Sequence, residues 1–202
     1  MSQGKTRARR YALPMDSLVA SLLAELDRTR RGLLLVALLG EGTDAAPIVV
    51  GGFAVEAWTR GGYTTSDIDL VCRRPQAARK RLIAMGFRLQ KRHLLHDGLG
   101  LAVEIPGTVL DEGRDAYDRL VRWEIDGHTV DVLAVEDVLV DRLADEVHRG
   151  VTSERENVLR LMMAWWDRID WAVVEARAAR EAVGPALAEA RAWIQARVEG
   201  SP

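Results

Sequence analysis

The sequence predicts an α/β protein, α+β in its detailed order: a mixed sheet flanked by helices, followed by a helical lobe. Three observations predict this. The wholly apolar run Ile48-Val49-Val50 reads as a buried strand and leads straight into Gly51-Gly52. A second strand pattern, Ser66 to Cys72, alternates Asp67 and Asp69 with Ile68 and Leu70. Asp126-Gly127 sits between two alternating runs, the strongest hairpin signal in the chain. Beyond Ala134 only helical spacing is found. The chain therefore divides into a basic tail and N-terminal helix (1–46), an α/β core (47–134) and a C-terminal helical lobe (135–202).

The elements follow in order. Leu18, Leu22, Leu23 and Leu26 fall at helical spacing behind Asp16 and Ser17, two N-cap candidates, so residues 15–39 read as one helix. Gly40, Gly42 and Pro47 end it. After the strand at 48–50, Phe53 to Thr59 reads as a helix starting directly behind the glycine pair, and Gly61-Gly62 as a turn. Pro75 suits the first turn of a helix running to about Met85, with Gly86 as its stop. Two strands, Phe87 to Leu94 and Leu99 to Ile105, are expected on either side of Asp97-Gly98. The hairpin strands are Val121 to Ile125 and Thr129 to Leu133. Breaks in the helical lobe are expected near Gly150 and at Gly184-Pro185.

Composition narrows the class. The 202 residues are 48% hydrophobic and 29% charged, which fits a globular chain and excludes wholesale disorder. Cys72 is the single cysteine, so no intrachain disulfide or cysteine-based zinc site can form, and the expected compartment is the reducing cytoplasm. The most apolar run, Leu33 to Leu39 between Gly32 and Gly40, is far short of the roughly 20 residues of a membrane span. Lys5, Arg7, Arg9 and Arg10 read as a solvated basic tail rather than an export signal. The net charge of -2 conceals an asymmetry. Arg73 to His96 holds eight basic residues and no acid, whereas Asp97 to Glu146 holds fourteen acids against four arginines.

The chemistry concentrates between Ile48 and Leu70. Glycines opening a helix let backbone N–H groups approach a phosphate, and the helix dipole favours an anion there. Asp67 and Asp69, two apart on a strand, point to one face; two such carboxylates repel one another unless a cation lies between them. Oxygen ligands with room for water and phosphate suit Mg²⁺, with Mn²⁺ as an alternative. An apolar strand, Gly-Gly, a short helix and then Asp-x-Asp resembles the nucleotidyltransferase superfamily of the DNA polymerase β-like fold. The likeness covers residues 47–134 and is closest to small prokaryotic members related to abortive-infection-type toxins and antibiotic nucleotidyltransferases.

That resemblance implies a site. Asp67 and Asp69 would be catalytic metal ligands. The third would be Glu104 in Leu99-Gly-Leu-Ala-Val-Glu-Ile105, with Asp131 in Thr129-Val-Asp-Val-Leu133 as the alternative. The implied nucleotide contacts are Gly51, Gly52, Ser66, Arg88 and Arg142. The implied reaction moves a nucleoside monophosphate from an NTP such as ATP to a hydroxyl or phosphate of a tRNA or a small molecule. An antitoxin partner or a homodimer is the implied association. Two positions depart from the family: Tyr63 stands where many relatives have an arginine, and Arg142 where toxin-type relatives have a lysine. The competing reading is a catalytically inactive nucleotide-sensing or protein-interaction module, which expects the carboxylates to diverge. His93 and His96, three apart on a strand, read as surface or hydrogen-bonding residues, and Trp58, Trp165, Trp166 and Trp171 as core or interlobe packing.

Overall fold

A computed structural model describes residues 15–43 and 45–198; the basic tail lies outside them. Helices α1 (Met15–Ala24) and α2 (Arg28–Gly40) precede β1 (Ile48–Val49), α3 (Gly51–Trp58), β2 (Ile68–Val71) and α4 (Pro75–Ala84). Strands β3 (Arg88–Gln90), β4 (His93–His96) and β5 (Leu101–Gly107) follow, then a 3₁₀ turn at Arg114–Tyr117 and the hairpin β6 (Val121–Ile125) and β7 (His128–Val132). Helices α5 (Val135–Arg149), α6 (Glu154–Trp165), α7 (Trp171–Arg180) and α8 (Gly184–Val198) complete the chain.

All seven strands form one mixed sheet in the order β3-β4-β5-β2-β1-β7-β6. β1 is antiparallel to β2 and parallel to β7, while β2 is parallel to β5. The fold class is the α/β arrangement expected. Phe53, Ile68, Leu70, Leu133 and Leu139 are fully buried between sheet and helices, where closely packed apolar side chains supply most of the driving force. At the β6–β7 turn, Asp126 and Gly127 both take positive φ, 52° and 80°, which matches the twist of the flanking strands.

Three local expectations are corrected. The helix expected over 15–39 is broken: Glu25-Leu26-Asp27 is non-helical, and the Asp27 side chain accepts the Arg30 backbone N–H at 2.8 Å. Capping the second helix satisfies an otherwise orphan donor, which outweighs the continuous leucine pattern. The first helix begins at Met15, so Ser17 lies in its first turn and is not its cap. The strand expected over 87–94 is two strands, because Lys91, at φ 55°, turns the chain back on itself. A break between α6 and α7 at 166–170 also had no marker of the Gly or Pro kind.

Tryptophans tie the helical lobe to the core. Trp58 Nε1 donates to the Leu133 carbonyl, Trp165 Nε1 donates to the Trp58 carbonyl, both at 2.8 Å. The Trp58 ring meets Trp123 and Trp165 edge-on, at 4.9 and 5.0 Å between centroids. No helix of the described residues is long and apolar enough to cross a membrane.

Cys72, 2% exposed at the end of β2, behaves as a small hydrophobe. Burial pushes its thiol up to about 11, with Arg79 pulling weakly the other way. A disulfide reagent at pH 8 should leave it unmodified in the folded protein and modify it on denaturation; rapid labelling of the native chain would contradict this packing.

Candidate active site

The sheet register assembles the site. Asp69 on β2 is the direct partner of Glu104 on β5, and Glu104 is the direct partner of His93 on β4. Directly paired residues share a face, so His93, Glu104 and Asp69 form a row across three strands. Asp67 precedes β2 and joins them from the same side. One ligand atom each from Asp67, His93 and Glu104 lies within 4.8 Å of the others. His93 Nε2 stands 3.1 Å from Asp67 Oδ2 and 3.3 Å from Glu104 Oε2.

Asp69 is held against the start of α3. Gly52 N–H donates to Asp69 Oδ2 at 3.0 Å, and Val50 N–H donates to the Asp69 carbonyl at 3.1 Å. The chain turns there at Gly51, with φ 60°, and a Cβ on Gly51 would stand 2.6 Å from Asp69 Oδ2. Glycine is needed at this position both for its dihedral and for the close approach. Burial, then the neighbouring Asp67, raises the Asp69 carboxyl from 3.8 to about 6; Glu104 adds to the rise, while the Gly52 N–H and Arg142 oppose it.

The loop that delivers Asp67 is fixed by a buried carboxylate. Glu56 on α3, 1% exposed, accepts from Arg28 Nη1 with both oxygens at 2.9 Å, from Thr29 Oγ1 at 2.7 Å and from Thr65 N–H at 2.8 Å. Thr65 Oγ1 and Ser66 Oγ then both donate to Asp67 Oδ1, at 3.3 and 3.0 Å.

The row opens into a cleft of about 550 Å³. Gly51, Gly52, Asp69 and Glu104 line it on the sheet side. Asp111 and Glu112 line it from the loop after β5, and Asp141, Arg142, Asp145 and Arg149 from α5. Arg142 is buried and meets Asp141 at 2.5 Å, Asp145 at 3.2 Å and Glu154 at 3.4 Å. Burial works against its charge, but these acids outweigh it and hold the guanidinium protonated. Arg149 pairs with Asp145. Burial pushes the Glu112 carboxyl up to about 7, and Asp141 contributes to the rise.

The residues expected from the sequence thus separate. Asp67 and Glu104 come together in one ligand group with His93, while Asp69, expected in that group, instead lines the adjoining cleft with Gly51, Gly52 and Arg142; Ser66 hydrogen-bonds Asp67. Arg88 does not line the cleft: it is on β3, at the edge of the sheet, paired with Asp97 at 2.9 Å. Asp131 lies beyond β1 on β7, where Arg122 takes both its oxygens at 2.8 and 3.0 Å. Tyr63 packs half-buried against the core. His93, expected as a surface or hydrogen-bonding residue, does hydrogen-bond Asp67 and is also a member of the cluster; the β4–β5 register, hidden in an apparently continuous strand, sets it beside Glu104. His96 keeps a structural part, with Nδ1 accepting the Leu99 N–H at 3.1 Å.

No protein-family model matches the chain, and no curated protein matches it. Among solved structures it is similar to the crystal structure of an antigenic nucleotidyltransferase-like protein from Paracoccidioides brasiliensis, with a TM-score of 0.53 and 13% identity over 82% of this chain and 92% of that one. The likeness is one of fold: this is a nucleotidyltransferase-like α/β fold. Its carboxylate–imidazole cluster is a candidate site for a divalent metal, with donors of the right kind: carboxylate oxygens and one imidazole nitrogen converging where the cleft opens.

Gly51→Ala should cost about 1–3 kcal/mol of stability, from the forced positive φ and the collision with Asp69. Gly52→Ala should cost less, because the nearest atom its Cβ meets is the Thr65 Oγ1, at 3.0 Å. Thermal unfolding of both variants tests this order.

The raised Asp69 carboxyl has a defined sign. Its protonated form favours the folded state, and that contribution is lost as pH rises from 3.8 through about 6. Asp69→Asn should therefore stabilise the metal-free protein at pH 8, by at most about 3 kcal/mol, with the advantage shrinking toward pH 4.5. Denaturant melts at the two pH values measure it.

Proposed function

We propose that this chain is a metal-dependent nucleotidyltransferase that moves a nucleoside monophosphate from an NTP to a hydroxyl of a small cationic acceptor. The observation that carries the reading is the approach of the Asp67 and Glu104 carboxylates around His93, with Asp69 on the same face beside the glycine-opened N-terminus of α3. The inactive-module alternative expects the carboxylates to diverge; the approach of Asp67 and Glu104 within 4.8 Å of each other and of His93 favours the metal-binding reading.

Asp67 and Glu104, with Asp69 beside them on the same face, would hold a divalent metal, which would offset the charge of the triphosphate and acidify the attacking hydroxyl. The Gly51-Gly52 backbone and the α3 N-terminus offer N–H groups and a favourable dipole to the phosphates. Arg142, paired with Asp141, Asp145 and Glu154, fixes the position of those acids at the cleft wall. Glu104 receives the acceptor's proton as its oxygen bonds to the α-phosphorus. The α-phosphate bond to the β-phosphate oxygen breaks, and pyrophosphate leaves.

The choice of acceptor rests on charge. Six carboxylates line the cleft, from Asp69, Glu104, Asp111, Glu112, Asp141 and Asp145, against Arg142 and Arg149, which are themselves paired with acids. Arg92 of the basic segment reaches the cluster, 3.2 Å from Glu104 Oε2, but Arg88 is engaged with Asp97. This wall suits an amine-bearing small acceptor better than the phosphodiester backbone of an RNA.

Isothermal titration with each of the four NTPs, with and without Mg²⁺ or Mn²⁺, should give metal-dependent binding to the wild type and none to the Asp67→Ala/Asp69→Ala double variant. Binding retained in that variant would overturn the assignment. With an α-phosphate-labelled NTP, label should pass to a polyamino sugar; transfer to tRNA would reverse the acceptor choice.

A further inference from the structure

We propose that His93 is a direct ligand of the cation held by Asp67 and Glu104, and that its imidazole biases this site toward a first-row transition ion such as Mn²⁺ or Co²⁺ over Mg²⁺. The proposal rests on the metal-binding reading above and concerns the identity of the ion.

Three observations carry it. First, the imidazole is placed by the sheet and not by side-chain chance: His93 is the direct cross-strand partner of Glu104, and β4 lies between β3 and β5 in the sheet. Second, Nε2 faces both carboxylates at once, 3.1 Å from Asp67 Oδ2 and 3.3 Å from Glu104 Oε2. Adjacent donors around an octahedral ion with bonds of about 2.1 Å stand about 3 Å apart, so His93 already stands at the spacing of a neighbouring ligand from each carboxylate. Third, the donor set is mixed. Mg²⁺ prefers an all-oxygen shell and sheds water reluctantly, whereas an imidazole nitrogen is a better donor to Mn²⁺, Fe²⁺ and Co²⁺. A neutral imidazole can also donate only one proton from Nε2, so without a cation it satisfies one of its two carboxylate neighbours at a time.

The probes are the metal ions alone, titrated calorimetrically into the nucleotide-free chain, and the electron-spin-echo modulation of bound Mn²⁺. Wild type should bind Mn²⁺ and Co²⁺ at least about tenfold more tightly than Mg²⁺ and should show ¹⁴N modulation from a coordinated imidazole. His93→Ala should abolish that modulation and most of the preference, while Mg²⁺ affinity changes by less than about threefold. His96→Gln, three residues away on the same strand, should keep both; its melting curve and that of His93→Ala identify any folding defect. Bound Mn²⁺ without nitrogen modulation, or Mg²⁺ bound as tightly as Mn²⁺, would overturn the proposal. NTP titrations on the same samples separate the two readings. Metal-dependent NTP binding without nitrogen coupling leaves the nucleotidyltransferase standing and removes His93. Nitrogen-coupled metal without any NTP binding does the reverse.

Discussion

Like charges must be held together at one end of this sheet, and much of the surrounding structure is arranged around that constraint. Asp67, Asp69 and Glu104 share a face, and Asp69 registers the cost in a carboxyl raised to about 6 by its burial and by its two acidic neighbours. Left to itself, such a set would spread apart. The fold prevents this by attaching each carboxylate to a different support. Asp69 is pinned by the Gly52 N–H and by its own carbonyl in the ladder. Glu104 is fixed by its strand pairing and met by Arg92, and Asp67 is steered by Thr65 and Ser66.

The supports lead back to Glu56. This carboxylate is itself buried, and it is acceptable only because Arg28, Thr29 and the Thr65 N–H all donate to it. It therefore joins α2, α3 and the loop before β2 into one unit. The break at Asp27, which ends one helix and caps the next, sets Arg28 and Thr29 at the first turn of α2, facing Glu56. A detail of helix capping thus reaches the geometry of the site. A second network does the same for the opposite wall: Asp137 on α5, fully buried, pairs with Arg119 at 2.7 Å and Arg177 at 2.5 Å, tying the stretch after β5 to α5 and α7.

Much of the core was legible in the sequence because its signals are local. Gly51-Gly52 and Asp67-x-Asp69 lie within one strand–helix–strand unit, and Asp126-Gly127 marks its hairpin unaided. What was not legible depends on pairing between distant segments. Lys91-Arg92 carries no turn residue, so 87–94 reads as one strand, and only the β4–β5 register reveals that His93 stands beside Glu104. Glu112, Asp141 and Asp145 belong to the acidic 97–146 segment, but no local pattern singles them out from its other acids. They line the cleft because the loop after β5 and helix α5 both face it. Arg88 and Asp131 show the converse: each sits in a plausible local pattern, and each is claimed by a neighbour, Asp97 or Arg122, that the pattern does not name.

The same accounting separates stability from function. Asp69, placed for folding alone, would be better as a neutral side chain. It is retained where the cleft opens, and Gly51 is shaped to admit its carboxylate so closely that no Cβ fits between them. The α5 wall follows the same logic: Arg142 is buried at the expense of solvation and then surrounded by Asp141, Asp145 and Glu154, which together leave that wall net negative. Unfavourable local choices that cluster around one opening, each compensated by a specific partner, are what a binding site for a cation requires. A cation between Asp67 and Glu104 would turn their mutual repulsion into attraction, so the electrostatic strain of the metal-free cluster becomes binding affinity.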